Sequence, residues 1–206
     1  GPISTAVWVF PFVALVFTFP YIVSRYHKYG AVLFLRTLLV YSFIFYLLCV
    51  YFLGVLPLPS IAEVSKMTGD WAQLVPFHGL QNALAEANFA PGDAASWLRV
   101  FSTDSFFYLA ANVAMLFPLG IYLRYYFRQN FLQTVRWGFL VSLSIELLQL
   151  TGLLFIYPRP YRLFDVDDLI TNTLGAALGY LIAPLPMKIF PSQERLDRIA
   201  YHRGER

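Results

Sequence analysis

Five apolar stretches dominate this chain, at about residues 3–23, 31–56, 106–123, 132–155 and from 168 to about 184. Several reach the ~18 residues needed to cross the hydrocarbon core of a bilayer. Inside a bilayer the backbone must satisfy its own hydrogen bonds, so such stretches can only be helices here. Pro11 and Pro20 should mark a kink and an end of the first span, and Pro57 and Pro59 the end of the second. Ser102, Thr103 and Asp104 suit an N-cap for the third. The expected fold is therefore all-α: a polytopic membrane helix bundle of about five transmembrane helices, with short external interfacial helices.

Composition agrees. Of 206 residues, 58% are hydrophobic and 13% charged, where a soluble domain carries about 25% charge. Cys49 is the sole cysteine, so no internal disulfide can form, and a small buried hydrophobe is its expected role. The leading Gly1-Pro2 looks like a cleavage scar.

Placement of charge gives the topology. Arg25, Lys28, Arg36, Arg124, Arg128, Arg136, Lys188, Arg195, Arg198, Arg203 and Arg206 flank one set of connections and the tail. Only Lys66, Arg99, Arg159 and Arg162 fall on the other side. Lys and Arg accumulate on the cytoplasmic side, so the N-terminus is expected outside and the C-terminus inside. The connection 58–104 is then external. It holds two short helical patterns, one through Leu80, Ala83, Leu84 and Ala87 and one after the cap Asp93, with Trp71 and Trp97 at headgroup level. The tail from Gln193 reads as a solvated end.

An ionisable group inside a span costs a few kcal/mol and marks a functional site by default. Glu146 is such a group. Ser142, Glu146 and Gln149 share one stripe of the fourth span, and Asp168 and Asn172 share a stripe of the fifth with Gly175 and Gly179. The two glycines let another helix approach closely. On the third span, Asn112 precedes the Ala114 carbonyl that Pro118 deprives of its partner. At 1.5 Å per residue, Glu146 lies roughly 13 Å from the external end of its span and Asn172 roughly 6 Å. Three polar stripes are expected to face one another in an outward cleft, floored by Glu146 and rimmed by Asp165, Asp167, Asp168, Arg159 and Arg162. Glu146 would be protonated, paired with an arginine, or hydrogen-bonded by Gln149 and Asn112.

The pattern Asn112-x4-Phe117-Pro118-x-Gly120, then Ser142-x3-Glu146-x2-Gln149, then Arg162-x2-Asp165-x2-Asp168-x3-Asn172-x2-Gly175-x3-Gly179, resembles the VanZ-like family of bacterial membrane proteins. Gln73-Leu-Val-Pro76-Phe77 is similar to that family's external Asn-Leu-x-Pro-Phe element, with Gln73 in place of Asn. The resemblance spans about residues 71–182. It divides the chain into an extra N-terminal helix and basic turn (1–30), a VanZ-like membrane domain (31–190) and a cytoplasmic tail (191–206). It implies a multi-pass protein of the bacterial cytoplasmic membrane and reduced susceptibility to glycopeptides, notably teicoplanin, without implying the biochemistry.

Three readings follow. In the first, the cleft binds a lipid-linked cell-wall intermediate, a membrane lipid or a lipoglycopeptide, through Gln73, Asn112, Ser142, Gln149, Asn172 and Arg159; nucleic acid is not an expected partner. In the second, the protein is an intramembrane hydrolase or transferase, with Glu146 as general acid or base. Asp165 and Asp168 would then hold a divalent cation, Arg162 would steady a phosphate, and His78 would be a further acid or base. The third, a transporter, is opposed by the lack of visible inverted repeats. Pro118, Gly120, Gly175 and Gly179 are read as helix-packing positions.

Overall fold

The computed structural model describes residues 1–204; Arg206, counted above among the cytoplasmic cations, lies outside them. In chain order the elements are α1 (Pro2–Tyr29), α2 (Phe34–Val55), α3 (Ile61–Lys66), β1 (Ala72–Gln73), α4 (His78–Glu86), α5 (Ala94–Val100) and α6 (Asp104–Tyr125). There follow α7 (Phe131–Leu150), α8 (Gly152–Phe155), β2 (Phe164–Asp165), α9 (Val166–Ile182), α10 (Pro184–Met187) and α11 (Gln193–Gly204). Five helices are long and apolar enough to cross a membrane, so the fold is an all-α multi-pass bundle as the sequence requires. The 22-residue α6 is about 33 Å long, enough for a ~30 Å hydrocarbon core.

The chain forms two compact units, residues 1–58 with 184–206, and residues 59–183. In the first, α1 and α2 pair as a hairpin. Phe10 meets Tyr41 and Phe45 edge-to-face, with centroids 6.5 and 5.3 Å apart. Helix α1 does not stop at Pro20 as expected but continues to Tyr29. Each proline forfeits one backbone bond, a loss that spanning helices tolerate through local adjustment and side-chain hydroxyls; Thr18 Oγ1 beside Pro20 donates to Ala14 O at 2.7 Å. The tail is not simply solvated either. Helix α11 docks through Leu196 and Ala200 on Leu33, and Asp197 accepts from the buried Arg36 at 2.5 Å.

In the second unit α6, α7 and α9 pack together, and each begins on a side-chain cap. Thr103 accepts from Phe106 N, Asn130 from Gln133 N, and Asp165 from Asp167 N. Such caps satisfy amides that the first helical turn leaves free. The α6–α9 seam is backbone on backbone. A Cβ at Gly120 would overlap Ala176 O, one at Gly175 would overlap Val113 O, and one at Gly179 would overlap Phe117 O. The packing role expected of these glycines is therefore met by main-chain contact. Helix α6 stays helical through Pro118. At the far end of this seam Arg124 donates to Tyr180 O at 2.8 Å and lies 4.3 Å from the Tyr180 ring.

The fourth span ends at Leu150, short of the expected Phe155. Gly152, Leu153, Leu154 and Phe155 all take left-handed backbone, with φ of 59, 55, 55 and 69°. For a residue with a Cβ that conformation costs about 1–2 kcal/mol, so the turn is imposed from outside the four residues. Helix α3 was absent from the expected elements, although Ser60-x-x-Glu63 is a capping-box signature. The box is formed: Glu63 N donates to Ser60 Oγ at 3.2 Å and Ser60 N to Glu63 Oε2 at 2.7 Å.

Candidate functional site

Asp168, in the first turn of α9, is the meeting point of the three polar stripes. Its Oδ2 accepts from Tyr108 Oη at 2.9 Å and its Oδ1 from Asn112 Nδ2 at 2.6 Å, both from α6. Its carbonyl accepts from Ser142 Oγ of α7 at 3.2 Å, and Ser142 Oγ in turn accepts from Asn172 Nδ2 at 3.0 Å. Glu146 Oε2 accepts the backbone N–H of Asp165 at 3.0 Å, and its carboxyl lies close to that of Asp168.

The structure thus brings together Asn112, Ser142, Glu146, Asp168 and Asn172, and buries Gln149 on the same face of α7. It does not leave Glu146 at the floor of an open cleft. Glu146 is 1% exposed, and its identified oxygen partner is a backbone amide rather than an arginine from the rim. Buried polar groups are retained when hydrogen-bonded, and this set is hydrogen-bonded across three helices.

A cleft lies above them, with a volume of about 360 Å³, lined by His78, Gly79, Asn82, Asp104, Ser105, Tyr108 and Asp165. Tyr108 is the link, because one face of it lines the cleft while its hydroxyl donates to buried Asp168. Asp104, Tyr108 and Asn112 recur every four residues on α6, so the helical stripe holding Asn112 could have revealed Tyr108. Burial pushes the Asp165 carboxyl above the usual carboxylate range, against the Asp167 N–H, nearby His78 and the Gln73 amide, which favour the anion.

The remaining expected residues fall around this centre. Gln73 sits in β1, paired parallel with β2 so that it faces Asp165, and its Nε2 lies 3.5 Å from Asp165 Oδ1. Arg159 does not line the cleft: its Nη1 donates to Met67 O at 2.6 Å and its guanidinium lies 5.5 Å from the Trp71 ring. Arg162 is exposed on the same connection. Asp165 Oδ1 and both Asp168 carboxylate oxygens are occupied by protein donors. Among the described residues no group of three or more His, Cys, Asp or Glu is disposed to hold a metal ion.

Asp167 has a role that spacing alone did not reveal. Its two oxygens accept Phe77 N at 2.6 Å and Gly79 N at 2.7 Å. Phe77 is left-handed, with φ of 63°, and this bend starts α4 and sets His78 at the cleft. Hydrogen bonds to a charged partner contribute about 1.5–3 kcal/mol each. Asp167→Ala should therefore release the 74–79 segment, and Asp167→Asn, with one acceptor oxygen, should release it less. Hydrogen exchange at the Phe77 and Gly79 amides checks both; wild-type protection in Asp167→Ala would refute the assignment.

Five spanning helices and an interhelical polar lock beneath a cleft define a multi-pass helical membrane protein. Residues 43–188 match the VanZ/LLP1 family, and the chain belongs to that family. No curated protein and no solved structure matches the chain.

Proposed function

We propose that this protein is a VanZ-like component of the bacterial cell envelope that binds the polar head of a lipid-linked envelope molecule or a lipoglycopeptide such as teicoplanin. The observation that carries the reading is the cleft itself: His78, Asn82, Asp104, Ser105, Tyr108 and Asp165 converge above buried spans without requiring any of the sealed groups to react. Side chains of this kind exchange hydrogen bonds with hydroxyl, amide and amine groups, and the bundle's apolar flanks suit acyl chains. The charge asymmetry of the connections supports the bacterial cytoplasmic membrane with the N-terminus outside, the C-terminus in the cytoplasm and the cleft outward.

The test is expression in a susceptible bacterium, with teicoplanin susceptibility and labelled-teicoplanin binding measured together. If the cleft holds a lipid-linked envelope molecule, the wild-type chain should lower both. If it holds teicoplanin, the chain should lower susceptibility while raising the bound label, and in neither case should a new chemical species appear. His78→Ala combined with Asn82→Ala should abolish the effect at unchanged membrane abundance. Retention of the full effect by that double variant would end the binding reading.

A second reading, an intramembrane hydrolase or transferase acting on a lipid-linked substrate, draws on the presence of both His78 and Asp165 in the cleft wall. In that reading a carboxyl and an imidazole share acid–base work, and a modified lipid product should accumulate.

A further inference from the structure

The strained turn after α7 exposes its apolar side chains. Leu154, Phe155 and Ile156 are 69, 83 and 71% exposed. The base of the same turn is fixed. Tyr157 N donates to Gly152 O at 2.9 Å and Phe155 N to Thr151 O at 2.8 Å, which closes the loop on itself. Tyr157 is buried with Val64 and Tyr161, Leu153 packs on that cluster, and the Tyr157 hydroxyl donates to Pro59 O at 2.7 Å. Gly152 could carry no side chain, because a Cβ there would lie 2.7 Å from Arg159 O. A rigid base therefore holds three uncovered apolar side chains, two of them, Leu154 and Phe155, on disfavoured left-handed backbone. Strain of this kind persists only where the surroundings over-determine it.

We infer that Leu154, Phe155 and Ile156 form a wedge inserted among the lipid acyl chains of the leaflet at the C-terminal end of α7. Continuity supports this occupant: the tip starts just beyond the span's last helical residue, and Leu140 and Leu147 of α7 are themselves exposed apolar side chains. On the base side, Arg159 stacks on Trp71, a cation–aromatic pair suited to the headgroup zone. A second protein copy fits less well. Three side chains offer far less than the ~800 Å² per partner of a stable interface. The wedge fastens the connection that carries Arg159, Arg162 and Asp165 to the bilayer, whatever the cleft binds.

The experiment uses the full chain in lipid nanodiscs with Cys49→Ser, and an NBD label on Phe155→Cys, Ile156→Cys or, as an aqueous reference, Lys66→Cys. Both tip positions are exposed, so labelling leaves the fold intact, and unchanged thermal unfolding verifies it. Labels at 155 and 156 should emit at shorter wavelength, be quenched by bromine-bearing acyl chains and resist iodide, with the reverse at 66. Iodide quenching at both tip positions equal to that at 66 overturns the inference. So does shielding from both quenchers, which would mean that protein covers the tip.

Discussion

Gly179→Ala is expected to disrupt the α6–α9 pair and lower stability by about 3 kcal/mol or more, because overpacking a closed seam forces main chain apart. The added methyl would overlap Phe117 O, and backbone cannot rotate aside as a side chain can. Gly175→Ala should behave alike at Val113 O, and Gly120→Ala at Ala176 O. Gly92→Ala should be neutral, since nothing lies within 4 Å of the position a Cβ would take. Once Gly179→Ala has opened the crossing, adding Gly120→Ala should cost less than it does alone, as residues sharing a contact are not additive. Thermal unfolding in detergent or nanodiscs reads all five variants against wild type. A Gly179→Ala variant as stable as wild type would mean that the helices cross elsewhere.

Glu146 gives the second large effect. Glu146→Leu should cost about 2–4 kcal/mol, by stranding the Asp165 N–H and depriving Asp168 of a polar neighbour. Glu146→Gln keeps an acceptor for Asp165 N and offers an N–H to Asp168, so its stability should stay within about 1 kcal/mol of wild type. The pair separates structure from chemistry. If Glu146 only organises the helices, Glu146→Gln retains the full envelope phenotype while Glu146→Leu loses it with its folded population. If Glu146 transfers protons, Glu146→Gln at normal abundance should lose about 10²- to 10⁴-fold of activity. Its burial and its engagement by a backbone amide favour the first outcome.

What the sequence made visible is what helical periodicity can carry. Ser142, Glu146, Asp168, Asn172 and Asn112 were placed on facing stripes by 3.6-residue spacing and by the expense of polar groups in lipid, and they do meet. Gly175 and Gly179 followed from the same logic. Partner choice was not visible, because a carboxylate can equally take an arginine or a main-chain N–H. Glu146 and Asp167 both took the main chain, which spacing does not encode. The cleft was displaced from its expected floor for a related reason. Its walls come from α4, whose start depends on a left-handed Phe77 held by a residue ninety positions away. Beyond α7 the span length followed hydropathy as far as Phe155, and hydropathy does not register the sign of φ.

The lock at Asp168 and the glycine seam share the same two helices, and this restricts how the family's sequences can drift in length. Asn112 and Gly120 on α6 must face Asp168 and Gly179 on α9 together. One residue inserted between Asn112 and Gly120 would swing one contact about 100° around the helix axis relative to the other. Insertions and deletions should therefore be confined to the connections and helix ends, leaving the intervals 112–120 and 168–179 at constant count in every functional relative.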